Sequence, residues 1–267
     1  MVATLTQLIS MLKERHCSDD IRGIKRAYFI AKKLYHGQIR QTGEPLIKHP
    51  LAVAITLADW GLDKTSIIAG LLHELPDINP NYQTILSQKF KYHVDKLVEG
   101  VHRVGKVKLR GSQDHIFLEN LRKMFVAMAQ DIRVVLIRLA DRLHNIQTLD
   151  AVPLSKQKRI AVETLEIYAP LAERMGMGKL KGELEDLAFP FLYPDEYQWV
   201  MEIAKPHFKY SAENTKNTIT KIRQILAKHQ IIARTDGRPK RKYSLYKKLL
   251  RPEINRDISQ IHDLMAI

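Results

Sequence analysis

Apolar residues spaced three and four apart recur through the first 230 residues, and that period admits little besides a stack of amphipathic helices. The stretch "IRGIKRAYFIAKKLYHG" carries the period and stops at Gly37, where a helix C-terminus is expected. "HPLAVAITLADWG" begins beside Pro50, which suits a first helical turn, and closes on Gly61. "DKTSIIAGLLHEL" has Asp63 as a candidate N-cap and is broken by Pro76 in "PDINPN". "YHVDKLVEGVHRVG", "ENLRKMFVAMAQ" and "DIRVVLIRLADRLHNIQTL" continue the pattern. "LSKQKRIAVETLEIYAPLAERMG", "GKLKGELEDLAFPFL" and a helix pair at about 195–206 and 209–230 follow.

The composition changes near residue 230, where "IIARTDGRPKRKYSLYKKL" brings turn residues and mixed basic and aromatic side chains. The final "DISQIHDLMAI" has strand character. A chain stopping in such a strand reads as cut rather than complete. The expected organisation is an all-helical domain over 1–195, a helical connector over 196–230 and the opening of a second domain over 231–267.

Several polar residues interrupt otherwise apolar helices. His49 precedes Pro50, the pair His73-Glu74 follows 24 residues later, and Asp141 lies in "RLADRLHN". Two imidazoles and two carboxylates are a ligand set for a divalent transition metal, and a helical bundle can bring distant helices to one such site. Each residue alone also has a plainer reading, as a core or capping histidine or a solvated glutamate. Asp141 and Asn145 are harder to explain that way. They are four apart and share a face with Ile137, so two polar groups point inward together.

The formal net charge is +14, but residues 221–251 hold eleven Lys or Arg against the single acid Asp236, ten of the fourteen net charges. The remainder is near balance, so a small anionic ligand such as a nucleotide fits as well as a polyanion. A basic RNA-binding domain is the reading drawn from charge alone. The single cysteine, Cys17, excludes an internal disulfide framework and points to a reducing, cytoplasmic setting. The N-terminus reads as a helix rather than a signal peptide, and no stretch suits a bilayer.

The blocks "HGQIRQTGEPLIKHPLAVAITLADWGLD", "LLHE", "LVEGVHRVGKVK", "ENLRKMFVAMAQDIRVVLIRLADRLHNIQTL", "YAPLAERMGMGKLKGELEDLAF" and "DGRPKRKYSLYKK", in that order, resemble the N-terminal half of the RelA/SpoT alarmone enzymes. The resemblance runs from about residue 22 to the end. It implies an all-α HD-type hydrolase bundle followed by the truncated start of an α/β nucleotidyltransferase-like synthetase domain. It implies removal of the 3′-pyrophosphate of (p)ppGpp with Mn²⁺, the metal held by His49, His73, Glu74 and Asp141. Arg40 would meet the guanine nucleotide, with Gln41 beside it, and Asn145 would line the pocket. In the second domain Arg238, Lys240, Ser244 and Lys248 would contact ATP phosphates. Asp263 would match a Mg²⁺-binding acid, and no pyrophosphokinase activity is expected from so short a stretch. The partners implied are (p)ppGpp, the remainder of the synthetase and regulatory domains, and the ribosome through regions beyond this sequence, with no membrane.

The chain departs from the family pattern at its centre. The family reads His-Asp, two residues, then Glu-Asp, whereas here the text is His73-Glu74-Leu75-Pro76-Asp77-Ile78. Glu74 is one methylene longer than the usual ligand, so either the metal shifts or the carboxylate folds back. Asp77 falls at the catalytic Glu, Ile78 removes the second acid, and Gln41 stands where a basic residue is usual. Two readings therefore remain. One is a working hydrolase using Asp77, Glu74 and Asn145. The other is a partly degenerate, non-catalytic HD domain that regulates an attached synthetase.

Overall fold

In the N-terminal region glycines close the helices that end at Leu34 and Asp59, and the side chains of Thr4, Asp63 and Asp131 cap the starts of the helices at Leu5, Lys64 and Ile132. The computed structural model describes every residue except 1, 2, 16, 17, 91, 106–125, 127–129, 262 and 267. Most of "ENLRKMFVAMAQ", together with Cys17 and the "KVK" of residues 106–108, lies outside the described residues. The first unit comprises residues 1–157 and 166–168. Its elements are α1 (Leu5–Glu14), α2 (Ser18–Leu34), α3 (Lys48–Asp59), α4 (Lys64–Leu72), the single turn α5 (Leu75–Ile78), α6 (Tyr82–Lys89), α7 (Tyr92–Gly105) and α8 (Ile132–Gln147). Among the described residues no helix is long and apolar enough to cross a membrane.

Asp63 caps α4 as its sequence position suggests, accepting a hydrogen bond from the Ser66 backbone N–H at 3.0 Å. The same carboxylate accepts from Arg133 Nη1 at 2.8 Å, which ties the start of α8 to the start of α4. Gly37 and Gly61 both adopt φ of +79°, the left-handed conformation that closes α2 and α3. Where the sequence suggests one helix through "LLHEL", the structure has two pieces. α4 ends at Leu72, His73 and Glu74 form a turn, and Pro76 opens the short α5. Proline lacks an N–H and fits a first turn, so it restarts the helix rather than ending it.

The core of this unit is built from inward-facing residues of all eight of these helices. Leu8, Ile24, Leu57, Leu71, Val98 and Ile137 are all fully buried within it, each burial contributing roughly 1.5–3 kcal/mol. α3 and α4 approach closely because Gly70 carries no side chain. A Cβ there would lie 2.6 Å from Leu57 Cδ1 and 3.5 Å from Val53 Cγ1.

The second unit comprises residues 158–165 and 169–267. α9 (Leu154–Glu163) runs into a π-helical stretch, Thr164–Tyr168, and then come α10 (Ala169–Arg174), α11 (Gly178–Leu192) and α12 (Pro194–Lys228). The helix pair expected at 195–206 and 209–230 is one continuous helix, with Pro206 inside it. A proline there removes one hydrogen bond, which kinks or weakens a helix without always ending it. β1 (Arg238–Pro239) pairs antiparallel with β2 (Met265–Ala266), and α13 (Lys242–Leu249) lies between them in sequence. Phe189 centres this unit's core, with the Tyr243 and Tyr246 rings 5.3 and 5.0 Å away.

Replacing Gly70 with valine is expected to cost about 1–3 kcal/mol through overpacking against the fully buried Leu57. Urea unfolding measures it, and a midpoint equal to that of the unsubstituted protein refutes the close-packing account.

Candidate functional site

Three helices deliver the polar residues singled out above to one buried point. His49 lies in the first turn of α3, His73 and Glu74 occupy the turn after α4, and Asp141 sits in the middle of α8. His49, His73 and Asp141 are buried, and their ligand atoms all lie within 4.8 Å of one another. His49 Nε2 is 3.2 Å from His73 Nε2, 3.2 Å from Asp141 Oδ1 and 3.3 Å from Glu74 Oε1. His73 Nε2 is 3.5 Å from the same glutamate oxygen and 3.9 Å from Asp141 Oδ1. Ligands sharing one cation at about 2.1 Å stand about 3–3.5 Å apart, so these donors fit a single divalent ion. The extra methylene of Glu74 does not keep its carboxylate out of the group.

The far sides of the two imidazoles are held as metal-binding histidines require. His73 Nδ1 is 2.7 Å from the Gly70 carbonyl, so Nδ1–H donates and Nε2 faces the cage. The close approach of α4 to α3 depends on Gly70 lacking a side chain, and the aim of His73 on that residue's backbone carbonyl. His49 Nδ1 lies 2.9 Å from Nδ1 of His144. Burial, then the neighbouring His49 and Arg40, hold the His144 imidazole down at about 4, so it is neutral and able to accept. The tautomer that frees His49 Nε2 is therefore the one whose Nδ1–H donates to His144. Sequence reasoning missed His144, although it stands three residues from Asp141.

Burial alone would push the Asp141 carboxyl upward. The Arg138 guanidinium and the hydrogen bond from His49 outweigh it and hold Asp141 well below the usual carboxylate range. Arg138 Nη1 donates to Asp141 Oδ2 at 2.6 Å and Nη2 to the Tyr168 hydroxyl at 3.4 Å. Arg142 stacks 4.1 Å over the same tyrosine ring. Glu74 follows the same logic: burial raises it, and His49 and His73 more than reverse that. His73 moves the other way. Burial lowers it, but Glu74, Asp141 and the Gly70 carbonyl leave it raised, so a proton sits readily where a cation would.

Asn145 bridges to the nucleotide-binding candidate. Its Nδ2 donates to Asp141 Oδ1 at 2.6 Å and its Oδ1 accepts from Arg40 Nη2 at 2.8 Å. Arg40 projects from a tight turn closed by Gly43, whose φ is +78°. Its Nη1 is buried without a hydrogen-bond partner, as is Nε of Arg138. Gln41 is exposed in that turn. A cleft of about 220 Å³ opens beside the cage, its walls including Glu74, Asp77, Arg138 and Asn145. Val101, His102 and Gly105 of α7 complete it; a Cβ on Gly105 would sit 3.1 Å from Arg138 Nη1, so glycine leaves room for the guanidinium. Ile78 packs against the apolar core and offers the cleft nothing.

The C-terminal candidates lie in the second unit. Lys240 and Lys248 each donate to Asp263 at 2.7 Å, and these bonds pull the aspartate down to about 2. Arg238 and Ser244 are exposed.

Removing His49 is expected to abolish tight binding of a divalent cation, while His144→Ala, which removes only the outer partner, lowers affinity about 10–100-fold. Titration calorimetry reads both, and equal affinity in His144→Ala refutes the orienting role. Because the raised His73 proton must leave before Nε2 can coordinate, affinity should rise as pH rises through that imidazole's titration. An affinity that falls across that range refutes the cage.

Comparison with known proteins places this geometry. An HD-domain family model matches residues 27–178. The chain is 43% identical over 254 residues to a guanosine-3′,5′-bis(diphosphate) 3′-pyrophosphohydrolase of Aquifex aeolicus, covering 94% of this chain and 36% of that protein. It is 41% identical over 249 residues to the bifunctional (p)ppGpp synthase/hydrolase SpoT of Escherichia coli K12, covering 93% and 35%. It is also 41% identical over 257 residues to a GTP pyrophosphokinase of Myxococcus xanthus, covering 96% and 34%. The chain spans about a third of the length of these curated relatives. With three buried residues that could hold a metal ion and this match over more than half its length, the chain belongs to the HD-domain family and is related in sequence to the RelA/SpoT proteins.

Proposed function

We propose that residues 1–195 form a (p)ppGpp 3′-pyrophosphohydrolase domain using Mn²⁺, that 196–230 connect it onward, and that 231–267 open a synthetase domain. The observation that carries this is the donor cage of His49, His73, Glu74 and Asp141 at the wall of a cleft lined by the Arg138 guanidinium. The names borne by the Aquifex and Escherichia relatives supply the substrate class.

Those four side chains would hold the cation, which when bound polarises a phosphoryl oxygen and acidifies a water. Imidazole and carboxylate ligands suit Mn²⁺. Arg138 fixes Asp141 and brings positive charge to the cleft, where an anionic pyrophosphate gains from it. Arg40 retains an unpaired N–H for the nucleotide, and Asn145 holds Arg40 in register with Asp141. Lys240 and Lys248, with Asp263 between them, are offered as the basic and acidic beginnings of an ATP and Mg²⁺ site whose other parts lie outside this sequence.

A second reading is favoured by Ile78 and Gln41. The first is partly buried against the core and the second is exposed beside Arg40, so two family positions contribute no charge. On that reading the domain binds alarmone without turnover and regulates the remaining synthetase and regulatory domains.

Purified protein with Mn²⁺ and ppGpp should release pyrophosphate and GDP, and the double variant His73→Ala, Asp141→Ala should not. Equal release by both removes the hydrolase reading. Should the wild type bind ppGpp without turnover, while Glu74→Asp, Asp77→Glu, Ile78→Asp and replacement of Gln41 by a basic residue together create activity, the regulatory reading stands instead.

A further inference from the structure

The cleft beside the cage holds a second ionisable pair that belongs neither to the cage nor to the guanidinium groups. Of its lining residues, His73, Glu74 and Asp141 belong to the cage and Arg138 is spent on Asp141. Asp77 and His102 remain. Asp77 Oδ2 lies 3.5 Å from His102 Nδ1, the carboxylate 58% exposed and the imidazole 12%. The two come from different elements. Asp77 is set by the short turn α5, which Pro76 opens. His102 sits at the end of α7, next to Val101, whose side chain anchors that helix in the core. The Tyr82 ring packs 6.3 Å from the imidazole.

We propose, building on the hydrolase reading above, that His102 is the general base of the reaction and Asp77 its orienting partner. A carboxylate on one ring nitrogen fixes the tautomer and leaves the other nitrogen for chemistry, the relation seen in carboxylate–histidine pairs generally. Here the carboxylate stands 3.5 Å from Nδ1 of an imidazole that lines the cleft, so Nε2 is the nitrogen left for the chemistry. Separations of this kind commonly tighten when substrate binds. The pair also accounts for a chain with isoleucine at 78. The proton acceptor comes from the facing helix rather than from a second acid on α5.

In the step, a water proton passes to His102 Nε2 as the water oxygen bonds to the phosphorus of the 3′-pyrophosphate. The bond from that phosphorus to the ribose 3′ oxygen breaks and its electron pair stays on that oxygen. That oxygen lies on the far side of an in-line displacement and takes its proton from solvent, while the imidazolium releases its own to solvent, giving a ribose hydroxyl and free pyrophosphate with the imidazole neutral again.

The test compares the full chain with His102→Gln and His102→Ala, measuring Mn²⁺ affinity, kcat and KM for ppGpp, and rescue by added imidazole. The expected result is a kcat lowered about 10²–10³-fold, with KM and Mn²⁺ affinity changed by less than about twofold. Imidazole should raise the rate of the alanine variant and leave the wild type unaffected. Thermal melting checks the fold, and the glutamine variant, which keeps size and polarity, carries the test should alanine unfold. A kcat equal to wild type overturns the inference, as does a loss confined to KM. Lost Mn²⁺ binding also overturns it, by making His102 a ligand. A wild type without turnover removes the hydrolase reading and this inference with it, whereas an active wild type matched by its His102 variants removes the inference alone.

Discussion

The structure turns on concentrating two carboxylates and two imidazoles at one point, with His49, His73 and Asp141 buried and Glu74 29% exposed. Buried charge costs several kcal/mol per ion unless it is paired, and the surroundings of His49, His73, Glu74 and Asp141 answer that cost. Arg138 neutralises Asp141 from behind, Asn145 donates to its second oxygen, and the imidazoles share the protons that remain. Such a group is stable only if the helices that carry it are rigid. The bundle beneath it meets that need with fully buried leucine and isoleucine side chains from each of the helices that deliver ligands.

The histidine–glutamate turn shows how local chemistry and tertiary packing meet. The α4 helix stops at Leu72 and its last residues carry His73 into the cage, while the Gly70 carbonyl takes the proton of Nδ1. The same glycine lets α4 lie against Leu57. Packing and ligand orientation therefore rest on one residue. Pro76 then begins a new turn, which sets Asp77 facing His102 of α7 and packs Ile78 against the core. Glu74 thus reaches the histidine pair, its Oε1 3.3 Å from His49 Nε2, while Ile78 packs against the apolar core.

The outer partners divide by function. His144 and Gly70 aim imidazoles, and Arg138 sets the charge on Asp141 while Tyr168, flanked by Arg138 and Arg142, sits behind it. None of these contributes a ligand, yet each fixes the protonation or direction of one that does. In the second unit the arrangement is different. Lys240 and Lys248 close on exposed Asp263 in water, where such pairs contribute little. The Phe189 aromatic cluster, not these ion pairs, holds that region together.

The sequence by itself determined the helices, their stops at Gly37 and Gly61, the cap at Asp63 and the ligand types, because these depend on spacing, glycine freedom and side-chain chemistry within a few residues. It also placed Asp141 and Asn145 on one inward face. Only the tertiary structure decided that His49, His73, Glu74 and Asp141 meet within 4 Å of His49 or His73, that Pro76 restarts a helix, and that α12 runs unbroken through Pro206. It alone brought in His144, Arg138 and His102. The physical reason is range: capping and period act over one or two turns, whereas a cleft is made by helices that pack across tens of residues, and a lone histidine in a helical sequence carries no mark of which wall it will face.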